Sequence, residues 1–198
     1  MYEVAGSSSA CPTSRKSFIM ENIAIIGAGA SGLFLAQKLS SNHQLQIYVF
    51  EKAKLAGTKL RASGGGKANI FNNDMRPDCY NQETFMHHFL QRINVSNVRQ
   101  EFENMGLTMI TDEEDRVYPS SQFAQTVVDV LLNNCQDNVH FQYEYEVVKI
   151  LNENGLWKIN DFPVLFDKIV LATGTPANMI PKNRKDYNHY LTDFNLKM

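Results

Sequence analysis

The chain has 198 residues, 43% of them hydrophobic, with 19 Lys and Arg against 21 Asp and Glu, for a formal net charge of −2. That length and apolar content can bury a substantial core, and the balanced charge lacks the positive field by which proteins bind nucleic acid or anionic membranes, so neither partner is expected. Three cysteines, Cys11, Cys79 and Cys135, fit neither a disulfide framework nor a paired-cysteine metal site, which points to a reducing, cytoplasmic setting, and no apolar run reaches the about 20 residues that cross a bilayer.

Residues 1–19 are small, polar and without periodicity, and are expected to be a disordered leader before a domain over 20–198. Ile23, Ala24, Ile25 and Ile26 form a short continuous apolar run that ends in glycines, the pattern of a parallel strand buried on both faces. Leu33, Ala36 and Leu39 then recur at helical spacing, and the run 46–50 reads as a second strand closing on Glu51, which completes a βαβ unit. Residues 53–73, rich in Gly, Lys, Ser and Asn, read as a long loop and hence as a site candidate.

Phe85, Phe89, Ile93, Phe102 and Met105 suggest one helix or a pair, stopped by Gly106. Residues 107–110 and 116–119 read as short strands around the acidic turn 112–115. Ser120 and Ser121 precede an amphipathic helix through Phe123, Val127, Val128, Leu131 and Leu132, with serine expected at its cap. Alternation over 140–146, the run 147–150, and 157–159 after the Asn154-Gly155 turn predict a β-meander. The apolar run 168–172 is a last strand, which ends at Thr173-Gly174.

Chemistry concentrates first at Gly27-Ala28-Gly29-Ala30-Ser31-Gly32, which has a strand before it, a helix after it, and an acid at the end of the next strand. Gly27 permits the tight turn, Gly29 lets the backbone approach a pyrophosphate, and Gly32 lets helix pack on strand. The helix N-terminus then stabilises the phosphates. Glu51 lies 19 residues beyond Gly32, where a carboxylate accepts the hydroxyls of an adenosine ribose and disfavours a 2′-phosphate. FAD and NAD remain as candidate ligands.

With Ile25 to Gly32 and Leu33, Glu51-Lys52, Gly57 with Lys59-Leu60, Ser63-Gly64-Gly65-Gly66-Lys67 with Asn69 and Asn72, Arg116-Val117-Tyr118-Pro119, and Ala172-Thr173-Gly174, residues 21–198 resemble the N-terminal part of the BaiN-type, or aminoacetone oxidase-like, FAD-binding flavoproteins. The resemblance implies a Rossmann-type α/β domain of the two-dinucleotide-binding flavoprotein class with a β-meander crossover. It implies FAD as cofactor, NADH or NADPH as electron donor, and hydride transfer through the flavin to a small organic substrate or to oxygen. It also implies that Ser63 to Lys67 run beside the pyrophosphate and flavin, that Val147 sets its backbone against the adenine edge, and that Ala172-Thr173-Gly174 make a second cofactor contact. Read alone, Val147 is a strand valine.

Where the family block usually reads Ser-Gly-Gly-Gly-Arg-Cys-Asn-x-Thr-Asn, this chain has Lys67, Ala68 and Phe71. Lys67 keeps the charge without a bidentate fork, and Ala68 supplies no thiol. Thr175 stands where the family generally has a glycine, and full-length relatives run to about twice this length, so an incomplete FAD domain is expected. No acid–base residue emerges. His87 and His88 are adjacent on a helix and do not face one site, the acidic turn lacks calcium-loop spacing, and no metal is expected. The rival readings are an NAD-binding module, which has no need of the second glycine block, and a non-catalytic relative of a flavoprotein.

Overall fold

The computed structural model describes residues 20–174; the expected leader, Cys11, Thr175 and the segment 176–198 lie outside them. In chain order the elements are β1 (Glu21–Ile26), α1 (Ala30–Ser40), β2 (Leu45–Phe50), α2 (Thr58–Ala62) and β3 (Phe71–Asn72). There follow α3 (Glu83–Leu90), α4 (Val95–Asn104), β4 (Met109–Thr111), β5 (Arg116–Pro119), α5 (Ala124–Asn133), β6 (Val139–Gln142), β7 (Ile150–Glu153), β8 (Leu156–Ile159) and β9 (Lys168–Leu171).

The central sheet has the order β6-β2-β1-β9, with every pair parallel. Both of its faces are covered, which is why β1 is apolar without alternation. Ile23, Ile25, Ile47 and Val49 pack with Leu33 and Ala36 of α1 and with Val127, Val128 and Leu131 of α5. Ala24, Ile26 and Phe50 face Ile150, Ile159 and Phe166 on the other side. There Phe50 meets Phe162 edge to face at 5.0 Å and Phe166 at 5.8 Å, the favoured arrangement of aromatic quadrupoles. A small antiparallel sheet, β3-β5-β4, carries the acidic turn.

The α/β class, the βαβ unit, the helix pair and the hairpin around Asn154-Gly155, both at positive φ, stand as expected. Three features differ in detail. The alternating segment at 140–146 supplies β6, which pairs in parallel with β2; the antiparallel crossover consists of β7 and β8, extended by a Trp157–Phe166 bridge. Residues 53–73 are ordered by α2, a 3₁₀ turn over Ser63–Gly66, and β3. The N-cap of α5 is Phe123, with no side-chain cap. Ser121 instead accepts the Phe123 N–H at 3.2 Å and hydrogen-bonds the Thr126 hydroxyl at 2.7 Å.

Candidate functional site

The C-terminal ends of β1, β2 and β9 meet at the glycine turn. Gly27, at φ +109°, donates its N–H to Phe50 O at 2.8 Å, and Ala172 N–H donates to Ile26 O at 2.8 Å. A Cβ at Gly27 would lie 2.5 Å from Ala172 O, and one at Gly32 would lie 1.9 Å from Gly27 O. Gly29 is different. A Cβ there would meet nothing within 4 Å. Gly29 is also the N-cap of α1, whose first turn carries no acidic residue and receives no side-chain cap, so Ala30 and Ser31 open a helix end suited to an anion.

Glu51 is held from two sides: its Oε2 accepts Ala28 N–H and its Oε1 accepts Ala53 N–H, both at 2.9 Å. Each carboxylate oxygen has a further lone-pair direction, so the group is oriented by backbone while it retains acceptor capacity for ribose hydroxyls. The segment after β6 runs alongside, with Tyr145 N–H donating to Glu51 O at 2.9 Å and Glu144 N–H to Ala53 O at 3.1 Å. This brings Val147, which is buried and packed in the aromatic core, to the Glu51 side of the turn. Ala53 and Tyr145 act through main-chain groups, and for that reason residue type gave no sign of them. Lys52 is exposed next to Glu51.

The second glycine block is tied to the first. Gly57 N–H donates to Ala28 O at 2.7 Å, and a Cβ at Gly57 would meet Val128 Cγ2 at 2.7 Å. From that anchor α2 carries Lys59 towards the end of β9, where a Cβ on Gly174 would lie 3.1 Å from Lys59 Nζ. Leu60 packs against the core, and the Ser63 hydroxyl donates to Leu60 O at 2.7 Å. Gly64, Gly65 and Gly66 follow at φ +57°, +65° and +87°, a left-handed run that only glycine adopts without cost. Gly65 faces open space, whereas a Cβ at Gly64 would meet Asn69 N at 2.9 Å. Lys67 and Asn69 are exposed at the end of this turn, and Ala68 is fully buried at φ +57°.

Thr173 and Gly174 are exposed just past β9, so the glycine turn, the Gly57–Lys59 segment and Ala172-Thr173-Gly174 meet at the same ends of the parallel strands, where α/β sheets bind their ligands. Arg116 has a different role, since its guanidinium bonds Asp112 at 2.8 Å and Glu114 at 2.7 Å and closes the acidic turn. His87 and His88 are exposed on α3 with ring centroids 6.1 Å apart.

The HI0933-like protein Rossmann domain family matches residues 21–188. The chain belongs to that family. This HI0933-like domain corresponds to the BaiN-type FAD-binding group that the glycine block resembles. It is 26% identical over 165 residues to the 3-dehydro-bile acid delta(4,6)-reductase of Clostridium scindens, covering 80% of this chain and 40% of that protein. It is 27% identical over 164 residues to the ribosomal RNA dihydrouridine synthase of Escherichia coli, covering 76% and 38%. Among solved structures, Thermovibrio ammonificans THI4 is similar at 16% identity with a TM-score of 0.47, over 80% of this chain and 59% of that one. The HI0933-like domain thus spans about two fifths of the length of the curated relatives it matches. Among the described residues, no helix is long and apolar enough to cross a membrane.

Proposed function

We propose that this HI0933-like domain holds FAD and works within an oxidoreductase that takes electrons from NADH or NADPH and reduces a small organic substrate in the cytoplasm. The observation that carries the reading is the contrast among three glycines. Gly27 and Gly32 are closed by backbone at 2.5 and 1.9 Å, and Gly29, the one that must face a pyrophosphate, is open. The residues fit the cofactor in other respects too. Gly29, Ala30 and Ser31 present the helix end to the pyrophosphate, and Glu51 takes the ribose hydroxyls. Gly64, Gly65 and Gly66 allow close backbone approach on the flavin side, with Lys59 and Lys67 supplying positive charge, and Val147 flanks the adenine.

When bound, the flavin supplies two-electron hydride chemistry at N5. The protein's own part is to bind, orient and tune that group. The names of two relatives favour a reduction: one is a reductase, and the other makes dihydrouridine, which is uridine plus two hydrogens. A small molecule is preferred over RNA as substrate because the net charge of −2 provides no polyanion field.

The test is the visible spectrum of the purified protein after incubation with FAD and removal of the excess by gel filtration. Retained flavin bands that vanish in Gly29→Leu support the assignment. A colourless protein that instead binds NAD makes the chain an NAD module. A cooperatively folded protein that binds neither makes it a non-catalytic relative.

A further inference from the structure

We propose that Asn160 is a positioning residue for adenine recognition, acting through the backbone of the segment that contains Val147. The inference rests on the FAD reading above and goes beyond it to a residue outside every glycine block. Asn160 lies just past β8, at φ +44°, a left-handed conformation that asparagine tolerates better than most residues. From there its side chain reaches back 11 to 14 positions. Its Oδ1 accepts Val148 N–H at 3.0 Å and Lys149 N–H at 2.9 Å, and its Nδ2 donates to Glu146 O at 2.9 Å. Asn160 N–H also donates to Lys149 O at 2.9 Å.

Four hydrogen bonds from one residue therefore fix both sides of Val147, although residues 145–149 belong to no helix or strand. The other end of this segment is tied to the main chain of Glu51, because Tyr145 N–H donates to the Glu51 carbonyl oxygen at 2.9 Å. A segment pinned to Glu51 at one end and to Asn160 at the other is held at a set distance from the adenosine sugar. That constraint is what reading a nucleobase edge requires, since a base hydrogen bond fails with a displacement of well under 1 Å.

The chemistry of the base supplies a readout that general stability does not move. Adenine presents an acceptor at N1 and a donor at N6, and hypoxanthine reverses both while leaving ribose and phosphates unchanged. Titration calorimetry of ADP and IDP into the purified chain compares wild type, Asn160→Gly, which keeps the left-handed backbone relaxed, and Asn160→Asp, which keeps the Oδ acceptor. Wild type is expected to prefer ADP by about tenfold or more, the worth of one or two hydrogen bonds. In Asn160→Gly the preference falls to near unity through loss of ADP affinity, while IDP affinity holds. Asn160→Asp is intermediate.

A folded Asn160→Gly protein with the wild-type ADP to IDP ratio overturns the proposal. Should that variant not unfold cooperatively, a wild-type ratio in Asn160→Asp overturns it instead. Equal wild-type affinity for ADP and IDP removes the adenine role and leaves the dinucleotide reading standing. A wild type that binds neither nucleotide removes both.

Discussion

Gly32 rests against the carbonyl oxygen of Gly27 so closely that a methyl group on it would lie 1.9 Å from that oxygen. Neither partner can yield, because Gly27 is itself closed against Ala172 O. Gly32→Ala is therefore expected to destabilise the domain by several kcal/mol, at the upper end of single substitutions. Gly29→Ala should leave thermal stability within about 1 kcal/mol of wild type, since its Cβ enters open space, and should weaken ADP binding at least tenfold. Thermal unfolding and calorimetry on the two variants separate packing from ligand approach. Equal stability loss in both would contradict the assignment of their roles.

The second glycine block divides the same way. Gly65→Ala suffers only the left-handed backbone cost, about 1 kcal/mol, whereas Gly64→Ala adds a contact of 2.9 Å with Asn69 N. Gly64→Ala should melt well below Gly65→Ala, and both should retain less FAD. A Gly65→Ala protein with unchanged FAD retention would remove that turn from the cofactor site.

Glu51→Gln is expected to act on fold and ligand together. Both carboxylate oxygens accept backbone N–H groups, so glutamine sets an NH₂ against a donor whichever way it is turned. The loss should be about 1–3 kcal/mol, read as a drop of several degrees in Tm. ADP affinity should fall by about tenfold or more, and 2′-deoxy-ADP, which lacks one of the hydroxyls, should lose much less on the same substitution.

Cys135 offers a chemical check on packing. Burial pushes its thiol up from 9.0 to about 11, and its S–H donates to Leu131 O at 3.4 Å. Cys79 is exposed. At mildly alkaline pH, peptide mapping should show Cys79 alkylated at least about tenfold faster than Cys135, since the thiolate is the nucleophile. A group whose folded pKa is raised contributes stability that is complete below the unfolded value. Here the contribution falls away as pH rises from about 9 to about 11, and Cys135→Ala should flatten that part of the profile.

Legibility in the sequence followed the range of the forces involved. β1, α1 and Glu51 were readable because burial on both sheet faces, helical spacing and a fixed offset leave local marks. The five-residue α2 was not, as its position comes from Gly57 meeting Ala28 O and Val128, partners that are distant in sequence. The strand at 139–142 was visible as a strand, but alternation does not say which neighbour it pairs with, and β2 takes it. Ser121 has the chemistry of a cap yet lies two residues early, so its hydroxyl secures Phe123 and Thr126 from outside the helix. Asn160 left no trace at all, because a lone asparagine after a strand looks like any turn residue until its distant acceptors and donors are in view.

The meeting of Ala172 with Gly27 also orders events in time. β1 is an inner strand of the parallel sheet, yet its register with β9 joins Ile23 to Lys168, so one of its edges waits for nearly all of the later described chain to be synthesised. Until then the β9 side of Ile23 to Ile26 is an unpaired edge on the ribosome, since β2 pairs only with the opposite edge and α1 covers only one face. The glycine turn is thus made long before it can close, and a nascent chain released before residue 172 would carry the turn without the clasp that shapes it.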